Sequence, residues 1–439
     1  MLTKRENPTL NKTSGILVIG GGIAGIQAAL DAAEQGVMVY LVEREPSIGG
    51  HMAMLDKTFP TLDCSACILT PKMVEASRHP NIRLLAYSEV QEVTREGKNF
   101  KVRILKKPRF VDETKCRGCG ICAQHCPIEV PNEFDAGLGV RKAIYVPFPQ
   151  AIPLKYTIDK ENCIKCRLCE RLCEAGAINF DQKPEAISLT VGAIIVATGY
   201  ETFDAHKKSE YGYGRYPNVI TNLELERLLN ASGPTGGHII RLSDGRIPRK
   251  VAFIQCVGSR DLHVGNPYCS GVCCMCAIKN GVLLKEHVHS IDVTVFYMDI
   301  RTFGKGFEEF YQRAKDEFGI HYVRGRVGRT VEIPETKNLL LRVENTETGE
   351  VIQEEFDMVV LSIGVVPSGG ISEMSKILNV PIDRYGFFEE NDIKTNPIAS
   401  KAEGIFVAGA ALGPKDIPDS VADASAAAIK AVTFLTGDK

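Results

Sequence analysis

The chain has 439 residues, enough for about two to four domains with hydrophobic cores of their own. It is 44% hydrophobic and 24% charged, an ordinary composition for a soluble globular protein. The formal net charge is −2 and basic residues are mixed with acidic ones, so we expect no nucleic acid partner and no anionic membrane partner. The polar segment Met1 to Ser14 lacks a signal-peptide core, and no apolar run approaches the roughly 18 residues of a membrane span. We expect a cytoplasmic protein without direct membrane insertion.

The chain opens with the sequence of a βαβ unit. An apolar strand over 15–20 leads into Gly20-Gly21-Gly22-Ile23-Ala24-Gly25, and 26–34 has helical spacing. A second strand over 37–42 ends on Glu43. A tight strand–helix turn occurs in any α/β fold, but strand, glycines, helix, strand and acid in this order predict a dinucleotide site.

Each residue of this pattern has a physical role. Gly20 permits the tight turn, Gly22 lets the backbone approach a pyrophosphate at the helix N-terminus, and Gly25 allows close packing of helix on strand. Glu43 suits a ribose hydroxyl. The same site is expected to include Ile23, Ala24, Arg44 and Gly50.

Two later segments distinguish FAD from NAD. A buried-type strand over 191–196 ends in Ala197-Thr198-Gly199, and 404–407 leads into Ala408-Gly409-Ala410. Both resemble the strand-to-turn signatures of two-domain flavoprotein reductases of the thioredoxin reductase type. The resemblance implies FAD, with Thr198, Gly199, Gly409 and Ala410 in its site. That family usually has an Asp after the second glycine, so Ala410 weakens one contact.

Fifteen cysteines in a chain without a signal peptide indicate metal ligands rather than disulfides. Two runs have the ferredoxin spacing C-x2-C-x2-C-x3-C. The last cysteine of the first run is followed by Pro127, and the last cysteine of the second run is followed by Glu174. A zinc ribbon would use C-x2-C pairs rather than this quartet twice. In two-cluster modules each cubane takes three cysteines of one run and the last of the other. The predicted sets are Cys116, Cys119, Cys122 and Cys173, and Cys163, Cys166, Cys169 and Cys126.

A third cysteine group follows the strand 251–255, where a nicotinamide domain would have its own glycine fingerprint. That fingerprint is missing. Instead Cys256, Cys269, Cys273 and Cys274 can surround one cluster. Buried free thiols or a redox-active pair are the alternatives at this point.

The Cys-Val-Gly-Ser-Arg segment at 256–260, the spacing of the four cysteines, and the segments at 63–67, 296–301 and 415–420 resemble heterodisulfide reductase, specifically its HdrA-like iron–sulfur flavoprotein family of anaerobic archaea and bacteria. The resemblance extends over about 15–435. It implies a [4Fe–4S] cluster on the four cysteines, hence three clusters in all. It also implies that Lys279 lies near the flavin N5, where a cation favours reduced flavin. From the residues alone, a solvated helix lysine is the preferred interpretation of Lys279.

The predicted fold class is α/β: a two-domain thioredoxin-reductase-like flavoprotein with a degenerate NAD(P)H-like domain and an inserted α+β ferredoxin-like module. A β-rich part is expected over about 327–360 and an Ala-rich helix over about 420–435. The predicted boundaries are 1–108, 183–245 and 363–439 for the flavin domain, 109–182 for the insert and 246–362 for the NAD(P)H-like domain.

The sequence therefore predicts an oxidoreductase with FAD and three [4Fe–4S] clusters. The resemblance implies electron bifurcation, a hydrogenase- or formate-dehydrogenase-type donor subunit, ferredoxin, other subunits of the complex and a homodimer. Larger relatives have extra N- and C-terminal cluster modules that we do not expect here. The alternatives are the flavoprotein of a membrane-associated, quinone-interacting complex of sulfate reducers, a stand-alone NAD(P)H dehydrogenase, and a non-catalytic, non-bifurcating electron-transfer or assembly subunit whose flavin does not turn over. Cys64 and Cys67 remain open between a cluster half-site, a dithiol and structural thiols; Cys276 is expected to be a spare thiol.

Overall fold

The structure is a computed structural model that describes residues 15–437, so the prediction for Met1 to Ser14 lies outside the described residues. The helices are α1 (Ile23–Glu34), α2 (Ser65–Arg78), α3 (Ile121–Gln124), α4 (Leu168–Leu172), α5 (Asn222–Leu229), α6 (Cys273–His287), α7 (Phe307–Asp316), α8 (Ile371–Leu378) and α9 (Ile417–Thr436).

The strands up to the middle of the chain are β1 (Gly15–Ile19), β2 (Val39–Glu43), β3 (Ile82–Ala86), β4 (Ser88–Glu96), β5 (Asn99–Lys106), β6 (Glu129–Pro131), β7 (Val140–Lys142), β8 (Ile144–Tyr145), β9 (Thr157–Ile158), β10 (Glu185–Val196), β11 (Tyr200–Thr202) and β12 (Val219–Thr221). The later strands are β13 (Lys250–Val257), β14 (Asp292–Tyr297), β15 (His321–Arg324), β16 (Val327–Glu332), β17 (Leu339–Glu344), β18 (Val351–Phe356), β19 (Met358–Ile363), β20 (Val365–Pro367), β21 (Glu390–Asp392), β22 (Asn396–Ser400) and β23 (Ile405–Val407).

The first sheet has the order β21-β22-β23-β10-β1-β2-β3, and its five strands from β23 to β3 are parallel. Helices α1 and α9 pack together over one face, where both contribute alanines. Alanine has a short side chain, so the two helices approach the sheet and each other closely. The antiparallel pair β4–β5 and helix α8 contribute to the core on the other face. The carboxyl ends of β1, β10 and β23 therefore meet at one edge, where the predicted FAD residues lie.

The second sheet is parallel, in the order β12-β19-β13-β14-β15. Helices α5, α6 and α7 cover one face, and the antiparallel strands β16, β17 and β18 cover the other. Strand β12 lies in the segment 183–245 that we assigned to the flavin domain. It is hydrogen bonded to β19, so the second domain begins before residue 219 and not at 246. The boundary was missed because β12 is three residues long and pairs with a strand about 140 residues later.

The ferredoxin-like insert lies between β5 and β10. It consists of two short antiparallel pairs, β6–β7 and β8–β9, and the short helices α3 and α4. Its apolar core is small, so the cysteine side chains themselves pack against it. The core residues are Phe110, Val111, Ile144, Ile158 and Ala177.

Two buried arginines connect the three units. Arg109 at the start of the insert donates to the carbonyl oxygen of Pro46 in the flavin domain at 2.6 Å. Arg227 on α5 donates to the carbonyl oxygen of Met54 at 2.9 Å and pairs with Asp135 of the insert at 3.0 Å. Because the guanidinium groups are 1% exposed, these contacts fix the relative positions of the units.

Candidate functional site: a dinucleotide edge and three cysteine groups

The β1–α1 turn has the geometry of a pyrophosphate site. Gly20 has φ +106°, and a Cβ on Gly25 would lie 1.8 Å from the Gly20 carbonyl oxygen, so both positions require glycine. A Cβ on Gly22, at the N-cap of α1, would meet no atom of the described residues within 4 Å. The Gly22 backbone therefore faces open space at a helix N-terminus, where an anion is stabilised by free N–H groups. Ile23, Ala24 and Gly25 form the first turn of that helix.

Glu43 and Arg44 follow β2, next to this turn. The buried Glu43 carboxylate accepts hydrogen bonds from the backbone N–H groups of Gly21 at 2.6 Å and Glu45 at 2.8 Å. Burial raises the pKa of Glu43, and these two hydrogen bonds oppose the shift. Arg44 instead points away from the turn: it is half exposed, pairs with Glu201, and donates to the Gly369 carbonyl oxygen. Of the two residues predicted for the cofactor, Glu43 alone lies at the turn.

The remaining predicted FAD residues come together around the same turn. Gly49 N–H donates to the Gly21 carbonyl oxygen at 2.7 Å, and a Cβ on Gly50 would lie 3.0 Å from the Gly22 Cα. Gly409 lies against α1, since its Cβ would be 2.9 Å from the Ala24 Cβ. The positions that complete this edge are Thr198, Gly199 and Ala410. Among residues 15–437 the buried Thr198 hydroxyl has no hydrogen-bond partner, as expected of a group that binds a ligand. The residues present fit FAD.

The insert brings the crossed cysteine set together. A cavity of about 360 Å³, counting space open to solvent, is lined by Cys126, Cys163, Cys166 and Cys169. This is the full set predicted for one cubane, with Cys126 supplied by the other run. Of the second set, Cys116, Cys122 and Cys173 pack against the same small core, and Cys119 is exposed beside them.

These thiols crowd one another. Burial raises the pKa of Cys122 to about 12, with further contributions from Cys116, Cys119 and Cys169. Burial likewise raises the pKa of Cys169 to about 11, and Cys163, Cys166 and Cys126 add to the shift. Crowded thiols of this kind lose their protons when cations bind among them, which is the behaviour of cluster ligands. Among residues 15–437 no three His, Cys, Asp or Glu side chains converge on the volume of one metal ion; a four-iron cube holds its thiolates further apart.

The third group forms at the carboxyl end of β13 and the N-terminus of α6. Cys256 lies within an irregularity in the β13 pairing and has φ +60°, a strained conformation that turns its side chain out of the strand pattern. Cys273 and Cys274 are buried in the first turn of α6. Burial raises the pKa of Cys273, and Cys276, Cys274, Cys256 and Cys269 add to the shift, so all four predicted ligands lie within electrostatic reach. The residues fit a cluster.

Charged residues that sequence reasoning missed surround this group. Arg260 hydrogen bonds to Cys256 and forms an ion pair with Asp299. The Cys274 thiol contacts the Asp299 carbonyl oxygen at 3.8 Å and accepts a backbone hydrogen bond from Arg301. The segments 256–260 and 296–301 supported the family resemblance, and their proximity explains why both contribute to one site. Nothing in the sequence indicates that they pair.

Lys279 lies on α6, one and a half turns after the cysteines. It is 1% exposed, which excludes the solvated-lysine alternative. Its ammonium forms an ion pair with the buried carboxylate of Glu226 on α5 and donates to the Lys57 carbonyl oxygen at 2.9 Å. Glu226 also accepts from the Asp56 N–H at 3.1 Å. Cys276 lies between this pair and the third cysteine group, within electrostatic reach of Lys279 and Cys273.

Comparison with known proteins agrees with this geometry. Residues 160–428 match the family model described as pyridine nucleotide-disulphide oxidoreductase. The chain belongs to this family. Residues 15–59 match FAD dependent oxidoreductase, and 115–178 match the 4Fe-4S dicluster domain. The predictions of an oxidoreductase with an FAD-type domain and an inserted dicluster module are confirmed.

Named relatives carry the resemblance over most of the chain. The HdrA protein of Methanocaldococcus jannaschii, an iron–sulfur subunit of CoB–CoM heterodisulfide reductase, is 60% identical over 412 residues, which are 94% of this chain and 63% of that protein. A protein of the same description from Methanopyrus kandleri is 57% identical over 99% of this chain and 66% of its own length. The chain thus spans somewhat less than two thirds of the length of these relatives. The predicted resemblance to HdrA is confirmed.

Solved structures confirm the fold class. Thioredoxin reductase of Lactococcus lactis superposes with a TM-score of 0.53 at 16% identity, covering 97% of this chain and all of that one. Thioredoxin reductase of T. acidophilum gives 0.52 at 13% identity, covering 96% and 99%. At these identities the likeness concerns the fold alone. No helix within residues 15–437 is long and apolar enough to cross a membrane.

Proposed function

We propose that this chain is the flavin and iron–sulfur electron-transfer part of an HdrA-type component of heterodisulfide reductase. It would hold one FAD at the edge formed by β1, β10 and β23, and three [4Fe–4S] clusters. When bound, FAD exchanges an electron pair with a donor and single electrons with clusters. The residues of the chain would place these groups along one path: the third cysteine group beside the flavin domain, and the ferredoxin pair in the insert.

The observation that supports this function most directly is the junction between β13 and α6. In a nicotinamide domain the backbone of this junction binds pyrophosphate. Here it holds Cys256, Cys269, Cys273 and Cys274, two of them buried at the helix N-terminus. A cluster at this position replaces bound NAD(P)H as the neighbour of the flavin. This favours electron entry or exit through iron–sulfur centres over a stand-alone NAD(P)H dehydrogenase.

Lys279 is our candidate for the residue that influences the flavin. We propose that it lies near the flavin N5, as the resemblance implies, with its charge balanced by Glu226. On the helix that begins with the predicted cluster ligands, this lysine would place a positive charge between the two redox groups. Such a charge favours the reduced flavin.

The partners are proposed from relatives. The Methanothermobacter marburgensis relative, 55% identical, is named as a component of H(2):CoB-CoM heterodisulfide, ferredoxin reductase, and that of Methanococcus maripaludis, 57% identical, as a component of H(2)/formate:CoB-CoM heterodisulfide, ferredoxin reductase. We propose a donor subunit of the hydrogenase or formate dehydrogenase type, other heterodisulfide reductase subunits, ferredoxin as one acceptor, and a homodimer. In this assembly electron bifurcation would divide each pair between ferredoxin and a disulfide. Coupled reduction of ferredoxin, absent when the disulfide is withheld, tests it.

The first experiment is anaerobic purification with iron, sulfide and flavin quantified per chain. About twelve iron atoms and one FAD support three cubanes. About eight iron atoms would leave the ferredoxin pair alone and reduce the third group to thiols. Addition of NADH and NADPH then separates the rival dehydrogenase, because rapid bleaching of the flavin by either would overturn the proposal.

The crossed liganding has its own test. Cys126→Ser and Cys166→Ser should remove the same cluster signal in electron paramagnetic resonance, because both residues line one cavity. Cys119→Ser should remove the other signal. If Cys126→Ser instead matches Cys119→Ser, each run binds its own cluster and the crossed assignment fails.

A further inference from the structure

Hydrogen-bond donors reach three of the four cysteines that would hold the third cluster. The Cys269 sulfur accepts from the Gly271 N–H at 3.4 Å. The sulfur atoms of Cys256 and Cys274 have arginine donors. Because Cys273 and Cys274 are 6% and 8% exposed, bulk water would stabilise little of the negative charge that a cluster brings to this group. The charge of a bound cluster therefore depends on donors that the protein supplies.

Gln255 is a further donor beside this group. It precedes Cys256 on β13 and is 7% exposed. Neither its amide nitrogen nor its amide oxygen has a hydrogen-bond partner among residues 15–437. It lines a cavity of about 290 Å³, counting space open to solvent, together with Cys256, Ser259 and Arg260. A buried amide without a partner is costly, so we expect this one to bind a group that enters the cavity.

Tyr322 on β15 is a second donor of this kind. Its hydroxyl is buried, and within the described part of the chain it has no hydrogen-bond partner. Burial raises the pKa of Tyr322, and Tyr311 and Cys274 add to the shift, so the hydroxyl lies within electrostatic reach of the Cys274 thiol. The rings of Tyr297 and Tyr311 pack edge-on against Tyr322, with centroids 6.3 and 4.8 Å away. These contacts hold the Tyr322 ring beside the cysteine group.

Buried water is the simplest other partner for the two groups. A water molecule with about two to four polar neighbours would satisfy either of them. Water does not explain why donors from two different strands, β13 and β15, both lie beside the same cysteines. A [4Fe–4S] cluster does explain it, because its sulfide and thiolate sulfur atoms are all acceptors, whereas Gln255 and Tyr322 offer an N–H and an O–H.

We propose that Gln255 and Tyr322 donate hydrogen bonds to the third cluster and raise its reduction potential. The inference rests on the proposed function, because it requires that the four cysteines hold a cluster. Reduction of the cluster adds one electron, which comes from reduced flavin, and no proton. Donors stabilise the added negative charge, so they favour the reduced state and raise the potential. The two residues would thereby make a buried cluster able to accept single electrons from the flavin.

The test is a redox titration of the anaerobic holoprotein, followed by electron paramagnetic resonance. The signal that disappears in Cys273→Ser identifies the third cluster. Gln255→Met and Tyr322→Phe nearly keep the shape of each side chain and remove its donor. Each should lower the equilibrium constant for reduction of this cluster by about tenfold, which is about 59 mV for one electron. The potentials of the ferredoxin pair should not change.

Tyr311→Phe is the matched control. It removes a hydroxyl from the ring that packs on Tyr322, and no cysteine contributes to the shift in the pKa of Tyr311. This variant should leave the potential of the third cluster unchanged. The double variant Gln255→Met, Tyr322→Phe should combine the two single effects, to about a hundredfold, because the donors come from different strands.

A wild-type potential in either single variant would overturn the proposal for that residue. An equal shift in Tyr311→Phe would overturn it for Tyr322, because packing and not the hydroxyl would then set the potential. Loss of about four iron atoms per chain in Gln255→Met or Tyr322→Phe would overturn it too, since the residue would hold the cluster in place. Iron in the wild type separates these results from the proposed function: about eight atoms per chain overturn both, whereas about twelve with unchanged potentials overturn this inference alone.

Discussion

The two parallel sheets of this protein contain the same strand–helix unit built in two ways. In the flavin domain β1 ends at Ile19 and α1 begins at Ile23, with three glycines between them. In the second domain β13 ends at Val257 and α6 begins at Cys273. The first connection is a tight turn that brings backbone N–H groups to a ligand. The second is a loop of fifteen residues that contributes Cys269 and ends in two buried thiols.

The two junctions share the position of a helix N-terminus and differ in the group that would bind there. Both junctions place the positive end of a helix at the carboxyl edge of a parallel sheet, where negative charge is stabilised. Glycines let the diphosphate of a nucleotide approach α1. At α6 the negative charge would come from cysteine thiolates, which the N-terminus of α6 stabilises. One architecture can therefore bind a nucleotide at one junction and a cluster at the other.

The largest effect is expected from changing the glycine junction. Gly25→Ala would place a Cβ 1.8 Å from the Gly20 carbonyl oxygen, so we expect no native protein, measured as loss of soluble yield and of a cooperative melting transition. In Gly22→Ala the added methyl group would have no atom of the described residues within 4 Å, so this variant should fold. Its methyl group would hold a diphosphate away from α1, weakening FAD binding by roughly 10- to 100-fold, the loss of one charge-assisted hydrogen bond. If Gly22→Ala bound FAD as tightly as the wild type, the N-terminus of α1 would not be a diphosphate site, and the comparison with α6 would fail.

Substitutions at the β13–α6 junction should lower the iron content of the protein and leave its FAD content unchanged. Cys273→Ser is expected to lower the iron content by about four atoms per chain and to leave the ferredoxin pair intact. Cys276→Ser, one turn further along α6, is the matched control and should keep all iron. Iron analysis with electron paramagnetic resonance distinguishes the two variants. Equal iron in both would mean that the second junction holds thiols alone.

The sequence predicted the local parts of this comparison. The glycine turn, the ferredoxin runs and the Ala-rich α9 each have a signal within a few residues, so spacing was sufficient. The missing glycine fingerprint after β13 was also visible. What spacing could not give is pairing between distant segments: β12 with β19, Arg260 with Asp299, and Lys279 with Glu226. These depend on tertiary packing, which no local pattern records.

The buried ion pair Lys279–Glu226, beside the β13–α6 junction, has no counterpart among the described residues beside α1. We expect this pair to contribute to the stability of the fold. Lys279→Met leaves the 2%-exposed Glu226 carboxylate without its cation, so the free energy of unfolding should fall by about 3–5 kcal/mol. The double variant Lys279→Met, Glu226→Leu should recover most of the loss, because no unpaired charge remains. Guanidinium unfolding followed by circular dichroism measures both. A single variant as stable as the wild type would show that water reaches the pair.

The smallest effect is expected beside the glycine junction, at Arg44. The sequence prediction included this residue in the FAD site, but its guanidinium is 51% exposed and pairs with Glu45 and Glu201. Exposed pairs of this kind contribute at most about 1 kcal/mol. Arg44→Ala should therefore leave FAD affinity unchanged and lower the unfolding free energy by less than that amount. A tenfold or greater loss of FAD affinity, measured by titration of flavin-depleted protein, would mean that Arg44 turns toward the cofactor when it binds, and that this junction uses a side-chain cation besides its helix terminus.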